Sequence, residues 1–209
     1  MNAAPATTNR LAPLAEDTVG PYYPYSFIDG DRSDLTRLHY GLSVGPQGQQ
    51  IVLRGRLLDS DGAIVDDALV EFWQANAAGI LRTPDNDGHP LLDPFFDGFG
   101  RLITTTEPFA FRTIKPGALP AEGGMAARAP HITMTMFSDG ITRLVTQVFF
   151  DDEPEANAQD PLLASLPVEL RERLVARRVE APADGPAVYE IAIVMRGPGE
   201  TPFFDDLSS

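Results

Sequence analysis

The chain carries three histidines, His39, His89 and His131, and no cysteine. His39 and His89 lie in polar, turn-rich stretches with no ligand-type side chain at strand or helix spacing, and read as loop histidines. His131 differs. It follows a loop rich in Gly, Ala and Pro and opens the alternating run HITMTMF, so a strand starting there can aim its imidazole into a cleft. The residue two further along, which shares that strand face, is Thr133. One imidazole and one hydroxyl do not make a metal centre, which takes about three or four protein ligands. Carboxylate pairs recur at Asp59/Asp61, Asp66/Asp67 and Asp151/Asp152. In a chain with 30 acidic against 16 basic side chains these read as turn and surface residues. No glycine-rich phosphate loop, nucleophile elbow or His-Glu-x-x-His helix occurs. By residue chemistry alone there is no complete active site.

The elements that must position His131 lie between Gly100 and Asp152. A strand-like run, Phe109 to Ile114, enters the tight turn Lys115-Pro116-Gly117, and the loop after it delivers Ala129-Pro130-His131. Further strands are expected at about 102–106, 131–137 and 143–150. Earlier ones fall at Ile51 to Leu57 and Ala68 to Gln74, and a last one at Ala187 to Met195. Leu69, Glu71 and Trp73 share one face of the second strand, and Val70, Phe72 and Gln74 the other. Asp59-Ser60-Asp61-Gly62 is a hairpin signal. Residues 82–100 form a long irregular segment of the kind that is usually functional or interfacial. The run Val168 to Val179 has helical spacing, with Glu169 near its start and arginines near its end, and predicts a helix. The pattern predicts an all-β fold: a single-domain β-sandwich with Pro/Gly-rich loops and one short helix near the C-terminal third.

The formal net charge of -14 and a pI near 4.4 oppose binding to nucleic acid or to an anionic membrane surface. No apolar run approaches the length of a membrane span, and no signal segment opens the chain, so a soluble, cytoplasmic protein is expected. Residues 1–28 read as a tail and an arm, and residues 29–209 as the domain. The arm holds Thr18, Gly20, Pro21 and Tyr22 in a rigid turn, with rings at Tyr22, Tyr23, Tyr25 and Phe27. They either pack on the domain or reach a pocket or a partner.

Phe111-Arg112-Thr113-Ile114-Lys115-Pro116-Gly117, followed by Ala129-Pro130-His131-Ile132, resembles the intradiol ring-cleavage dioxygenases. Glu71-Phe72-Trp73-Gln74-Ala75-Asn76 is similar to the strand before that family's first iron-binding tyrosine. Phe149-Phe150-Asp151-Asp152-Glu153, Ala156-Asn157-Ala158, Asp160-Pro161 and Gly199-Glu200-Thr201-Pro202-Phe203-Phe204-Asp205 resemble the α chains of its two-chain members. Thr18-Val19-Gly20-Pro21-Tyr22 resembles their N-terminal arm. The resemblance spans about residues 11 to 206, with several motifs in order.

The resemblance implies an Fe(III) held by two tyrosines and two histidines. The four matching positions here are Leu81, Leu119, His131 and Thr133, so three of the four ligands are absent. This implies a non-metal-binding α chain beside an iron-bearing β chain. That partner would bind the Fe(III) and cleave protocatechuate with O2 to 3-carboxy-cis,cis-muconate, a step of β-ketoadipate catabolism. Thr18, Gly20, Pro21 and Tyr22 would line the partner's pocket. Arg128 matches an active-site arginine of the iron-bearing chains and is expected to be structural or vestigial here. Asp139 stands where α chains carry an arginine for the substrate carboxylate, and an acid there repels a carboxylate. That opens two alternatives: a catechol with another substituent, or compensation by a cation such as Arg143. A non-enzymatic β-sandwich scaffold or binding module is the remaining reading. Tyr22, Tyr23 and Tyr25, with Phe95, Phe96 and Phe99, are the expected interface anchors.

Overall fold

Period-two alternation becomes strand throughout. In the computed structural model, which describes residues 32–37, 44–121, 124, 126–139, 142–181 and 183–204, the strands are β1 (Gln50–Leu58), β2 (Leu69–Gln74), β3 (Phe99–Ile103), β4 (Phe109–Ile114), β5 (Ile132–Ser138), β6 (Thr142–Phe150), β7 (Val175–Val179) and β8 (Ala187–Val194). Along β5, buried Ile132, Met134, Met136 and Ser138 alternate with half-buried Thr133, Thr135 and Phe137. Val70, Phe72 and Gln74 of β2 are buried, while Glu71 and Trp73 are only half so.

All eight strands form one sheet in the order β3-β2-β5-β6-β7-β8-β1-β4. The expected two-sheet sandwich is therefore a single sheet folded on itself. Its halves join where β6 and β7 run parallel for two residue pairs, Phe149 with Val175 and Phe150 with Ala176. Both halves face one core. Phe72 of β2 stacks on Phe111 of β4 with ring centroids 4.1 Å apart, and Phe150 of β6 meets Tyr189 of β8 edge-on at 4.9 Å. Each such pair contributes about 0.5–1.5 kcal/mol beyond the area it buries.

The free edges, β3 and β4, are brought together by Arg32–Leu35. Arg101 N–H donates to the Arg32 carbonyl (3.1 Å), Arg112 N–H to that of Ser33 (2.7 Å), and Leu35 N–H to that of Arg112 (2.9 Å). This segment covers edge groups that would otherwise template pairing with another chain.

The predicted helix over Val168 to Val179 is wrong in its second half. α3 covers only Val168–Arg171 and continues as a 3-10 turn, Glu172–Leu174, before the chain becomes β7. Ala176 is fully buried between β6 and β8, and Arg177, Arg178 and Val179 pair with β8. Strand neighbours outweigh a weak local helical pattern, which four residues cannot express once Val175 and Val179 find ladder partners. Two helices instead occupy the Pro-rich acidic run: α1 (Pro154–Gln159) and α2 (Pro161–Ser165). Each starts on proline, whose fixed φ suits the first helical position. β3 begins three residues earlier than expected because Phe99 pairs with Trp73. Beyond its end, Thr104 leaves the ladder and its Oγ1 accepts from Ala68 N–H (2.9 Å). Asp59 makes the expected turn, its Oδ1 accepting from the N–H of Asp61 and of Ala63. No helix among the described residues is long and apolar enough to cross a membrane.

Candidate functional site

The turns that leave β2 and β4 meet backbone to backbone. Asn76 Oδ1 accepts from Ala78 N–H (2.9 Å) and Ile80 N–H (3.0 Å), which curls the first turn. Gly117 N–H of the second turn donates to the Asn76 carbonyl at 2.9 Å. A Cβ on Gly79, whose φ is +79°, would lie 1.9 Å from the Ala118 carbonyl oxygen, and one on Gly117 would lie 2.5 Å from that of Ala77. Only glycine permits this approach. It brings Leu81, two residues after Gly79, and Leu119, two after Gly117, to the same cavity. His131 just before β5, Thr133 on β5 and Gln147 on β6, which is opposite Thr133 in the ladder, line it as well. The cavity has a volume of about 610 Å³, and Trp73, Leu81, Leu119, His131, Thr133 and Gln147 are among its lining side chains.

His131 is 9% exposed and its ring lies 5.6 Å from that of Phe149. Its Nδ1 is 2.7 Å from the Ala129 carbonyl, which can only accept, so the proton belongs on Nδ1 and the lone pair on Nε2. Burial pulls its pKa down to about 4. The nearby Arg128 charge adds to that, while the Ala129 carbonyl and Asp160 oppose it without reversing it.

Behind the wall stands a network of buried polar groups. The Asp160 side chain is fully buried and accepts from Arg128 Nε (2.9 Å), Ala129 N–H (2.9 Å), and the N–H groups of Leu162 (3.0 Å) and Leu163 (3.1 Å) at the start of α2. Arg128 also donates to Gln147 Oε1 (2.5 Å), and Gln147 Nε2 donates to Thr133 Oγ1 (3.4 Å). Leu119 and Arg128 exchange backbone hydrogen bonds at 3.0 Å and close the neck of the loop between them. Arg128 is thus a brace between the loop, β6 and α2.

A second network ties β4 to β6 and β8. Lys115 pairs with Asp152 (2.8 Å) and Glu153 (2.7 Å), and its ammonium lies 5.5 Å from the Phe150 ring and 5.7 Å from that of Tyr189. The Tyr189 hydroxyl donates to Asp152 at 2.7 Å. Burial works against the Lys115 cation, but its two carboxylates outweigh it, so its pKa lies above the ordinary value. Burial likewise works against the Asp152 anion, and Lys115 and Tyr189 outweigh it, so its pKa lies below the ordinary value. Burial, then the bond to Asp152, pushes Tyr189 up to about 12.

Of the residues singled out in the sequence, the fold brings Leu81, Leu119, Arg128, His131 and Thr133 to one cavity across some fifty positions. It does not bring Asp139 or Arg143 there. Both are exposed; Asp139 follows the far end of β5 with a φ of +54°. His89 is a turn residue whose Nδ1 accepts from Leu91 N–H (3.2 Å). His39, Thr18, Gly20, Pro21, Tyr22, Tyr23 and Tyr25 lie outside the described residues. Phe96 is not a surface anchor: it is 3% exposed, because residues 82–100 fold back on the first turn. Arg82 donates to the carbonyls of Asp93 and Phe96, and Asn76 Nδ2 to that of Leu91. Asp151 and Asp152 are not merely surface acids, since Asp151 Oδ1 accepts from Arg178 N–H (3.0 Å) and Asp152 takes Lys115 and Tyr189. The sequence reading took Asp160 only as part of a family motif and passed over Gln147. Asp160-Pro161 before an apolar run is an N-cap signature that could have found the first. Nothing local marks the second.

Leucine offers no lone pair, and the hydroxyl of Thr133 already accepts from Gln147. Among the described residues no three of His, Cys, Asp or Glu gather where they could hold a metal ion. The cavity presents apolar surface with one imidazole, one hydroxyl and, beside them, Arg128 and Gln147.

Residues 19–197 match the family described as Dioxygenase. The chain is 38% identical to the protocatechuate 3,4-dioxygenase alpha chain of Burkholderia cepacia, over 95% of this chain and 99% of that one. It is 39% identical to the beta chain from the same organism, over 93% of this chain and 86% of that one. The dioxygenase domain of a dioxygenase carbohydrate-binding protein fusion from Streptomyces sp. SirexAA-E shares the fold, with a TM-score of 0.57 at 22% identity over 86% of this chain and 96% of that one. With its motifs in order and its fold in common, the chain belongs to the intradiol ring-cleavage dioxygenase family.

Proposed function

We propose that this chain is the iron-free α-type subunit of a two-chain intradiol dioxygenase, catalytic only with an iron-bearing β chain. The observation that carries the reading is the donor set of the cavity. Members of this family work with Fe(III), and the residues present do not fit it. Leu81, Leu119 and Thr133 occupy three of the four expected ligand positions, and only His131 keeps a strong donor. The similarity to an alpha chain over nearly the whole of both chains supports the same reading. In it the Fe(III), the aromatic substrate and O2 all meet on the partner, and the pair works in the cytoplasm. Thr18, Gly20, Pro21 and Tyr22 belong to an arm that completes the partner's pocket. The substrate of the pair is protocatechuate and the product 3-carboxy-cis,cis-muconate.

Asp139 favours a second reading of the substrate. An acid held exposed at the tip between β5 and β6 selects against a carboxylated ring if that tip reaches the partner's pocket, and so favours a catechol with another substituent. The test is expression of the chain alone and together with its β partner, followed by iron analysis and ring-cleavage assays over several catechols. Iron and activity are expected only in the pair. Stoichiometric iron and turnover in the isolated chain would overturn the assignment. Protocatechuate as the best substrate would remove the argument from Asp139.

A further inference from the structure

We propose that the cleft between residues 32–37 and the long segment 82–100 is a binding site for a singly charged carboxylate with an apolar body. This cleft shares no lining residue with the cavity of Leu81 and Leu119, and the proposal does not rest on the two-chain reading.

Arg82 is half-buried on the lining of the cleft. Its Nε–H donates to the Phe96 carbonyl (2.9 Å) and one Nη2–H to that of Asp93 (2.5 Å). These bonds fix the plane of the guanidinium and use its side-on edge. Both acceptors are neutral, and no carboxylate among the described residues pairs with the charge. A half-buried cation without a counter-ion has lost hydration and recovered little of it. The end-on edge, made by Nη1 and the second proton of Nη2, is left for a ligand. It presents two parallel N–H groups, the geometry that takes both oxygens of a carboxylate. A fork already held in place loses little side-chain freedom on binding.

The rest of the cleft narrows the class. Its volume of about 390 Å³ lies within the range of small-molecule sites. Phe96 and half-buried Phe99 give it apolar surface. Arg32 is a second cation on the lining, its guanidinium carbon 5.8 Å from the centre of the Phe99 ring. Asp34 and Arg37 offset each other: Asp34 Oδ2 lies 4.0 Å from Arg37 Nε, and its Oδ1 accepts from the N–H (2.9 Å) and the hydroxyl (2.6 Å) of Thr36. Asp97 is the other acid, with Oδ1 accepting from Phe99 N–H (3.3 Å). Arg32 and Arg82 against Asp97 leave one positive charge, which one carboxylate neutralises. A dianion such as phosphate brings excess negative charge beside Asp97 and leaves the phenyl rings uncovered.

Full-length protein is titrated calorimetrically near neutral pH and at low ionic strength with benzoate and hexanoate. Benzamide serves as the uncharged counterpart, and inorganic phosphate as an anion without an apolar body. Both carboxylates are expected to bind saturably, and benzamide and phosphate at least about tenfold more weakly. Arg82→Gln removes the charged fork and should weaken benzoate at least about tenfold. Asp97→Asn keeps an acceptor for Phe99 N–H but removes the opposing charge. It should tighten benzoate about two- to fivefold, a gain that damaged folding cannot produce. The proposal fails if neither carboxylate gives a saturable isotherm, or if benzamide or phosphate binds as tightly as benzoate. It fails equally if Arg82→Gln binds benzoate as the parent does, or if Asp97→Asn does not tighten it.

Discussion

The wall of the cavity and the frame behind it are held in different ways. On the wall, Leu81 and Leu119 are apolar, and His131 and Thr133 stand beside them as polar groups. In the frame, Arg128, Asp160 and Gln147 form a network in which every group has a partner. The difference follows from what each set does for folding. A leucine side chain on a cavity wall forms no hydrogen bond, so the fold depends little on it. A buried carboxylate or guanidinium stripped of its partner costs several kcal/mol, so frame residues are held by the stability of the fold itself.

The sharpest way to break this contrast is Asp160→Ala. It leaves the Arg128 guanidinium half-buried without its anion, leaves Ala129 N–H unbonded and uncaps α2. A loss of about 3–5 kcal/mol is expected in urea denaturation. A cost under 1 kcal/mol would mean that the frame is not what holds the site. Gly79→Ala comes next, at about 3 kcal/mol. A left-handed φ and a contact with the Ala118 carbonyl must both be relieved, and thermal melting reads the result.

His131 sharpens the comparison through pH. Its pKa is about 4 in the folded chain against an unperturbed value near 6.5, so the unfolded state binds the proton first. Stability therefore falls as pH drops from about 6.5 to about 4, and His131 alone accounts for about 3 kcal/mol of that fall. Above pH 6.5 it contributes no slope. Denaturation curves of the parent and of His131→Phe across that window isolate the effect; parallel pH profiles would refute it.

Lys115→Met tests the second network and should cost about 2 kcal/mol, less than a fully buried pair because Asp152 and Glu153 are partly open to water. In the same variant the Asp152 carboxyl loses the cation that holds its pKa low, which NMR titration of that carboxyl follows as a rise. The smallest effect belongs to the wall. Leu119→Ala should change stability by less than about 1 kcal/mol, because a half-exposed side chain at a cavity has little packing to lose. A loss as large as that of Asp160→Ala would erase the distinction between wall and frame.

Much of this was legible from the chain itself. Alternation marked β2, β4, β5, β6 and β8 to within a residue or two, because burial of one strand face is a local, period-two signal. The ordered motifs marked the family, and single letters at 81, 119 and 133 put two leucines and a threonine on the cavity wall. Longer-range matters were not legible. Val175–Val179 carries a helical pattern yet forms a strand, since the neighbours that decide it lie on β6 and β8. Lys115, Asp152 and Tyr189 lie far apart in the sequence, and only the packing of three strand ends makes them one cluster.

By itself the sequence determined which side chains are available: one strand-borne imidazole, no thiol, and no donors at Leu81 or Leu119. Composition and order are complete in the sequence, and no folding changes them. The tertiary structure alone decided which of these residues meet. Convergence on the cavity depends on Gly79 and Gly117 letting two turns touch, and on β5 and β6 placing Thr133 opposite Gln147. Such contacts are set by pairing across distant strands, where the free energy of burial is collected, and no local spacing records them.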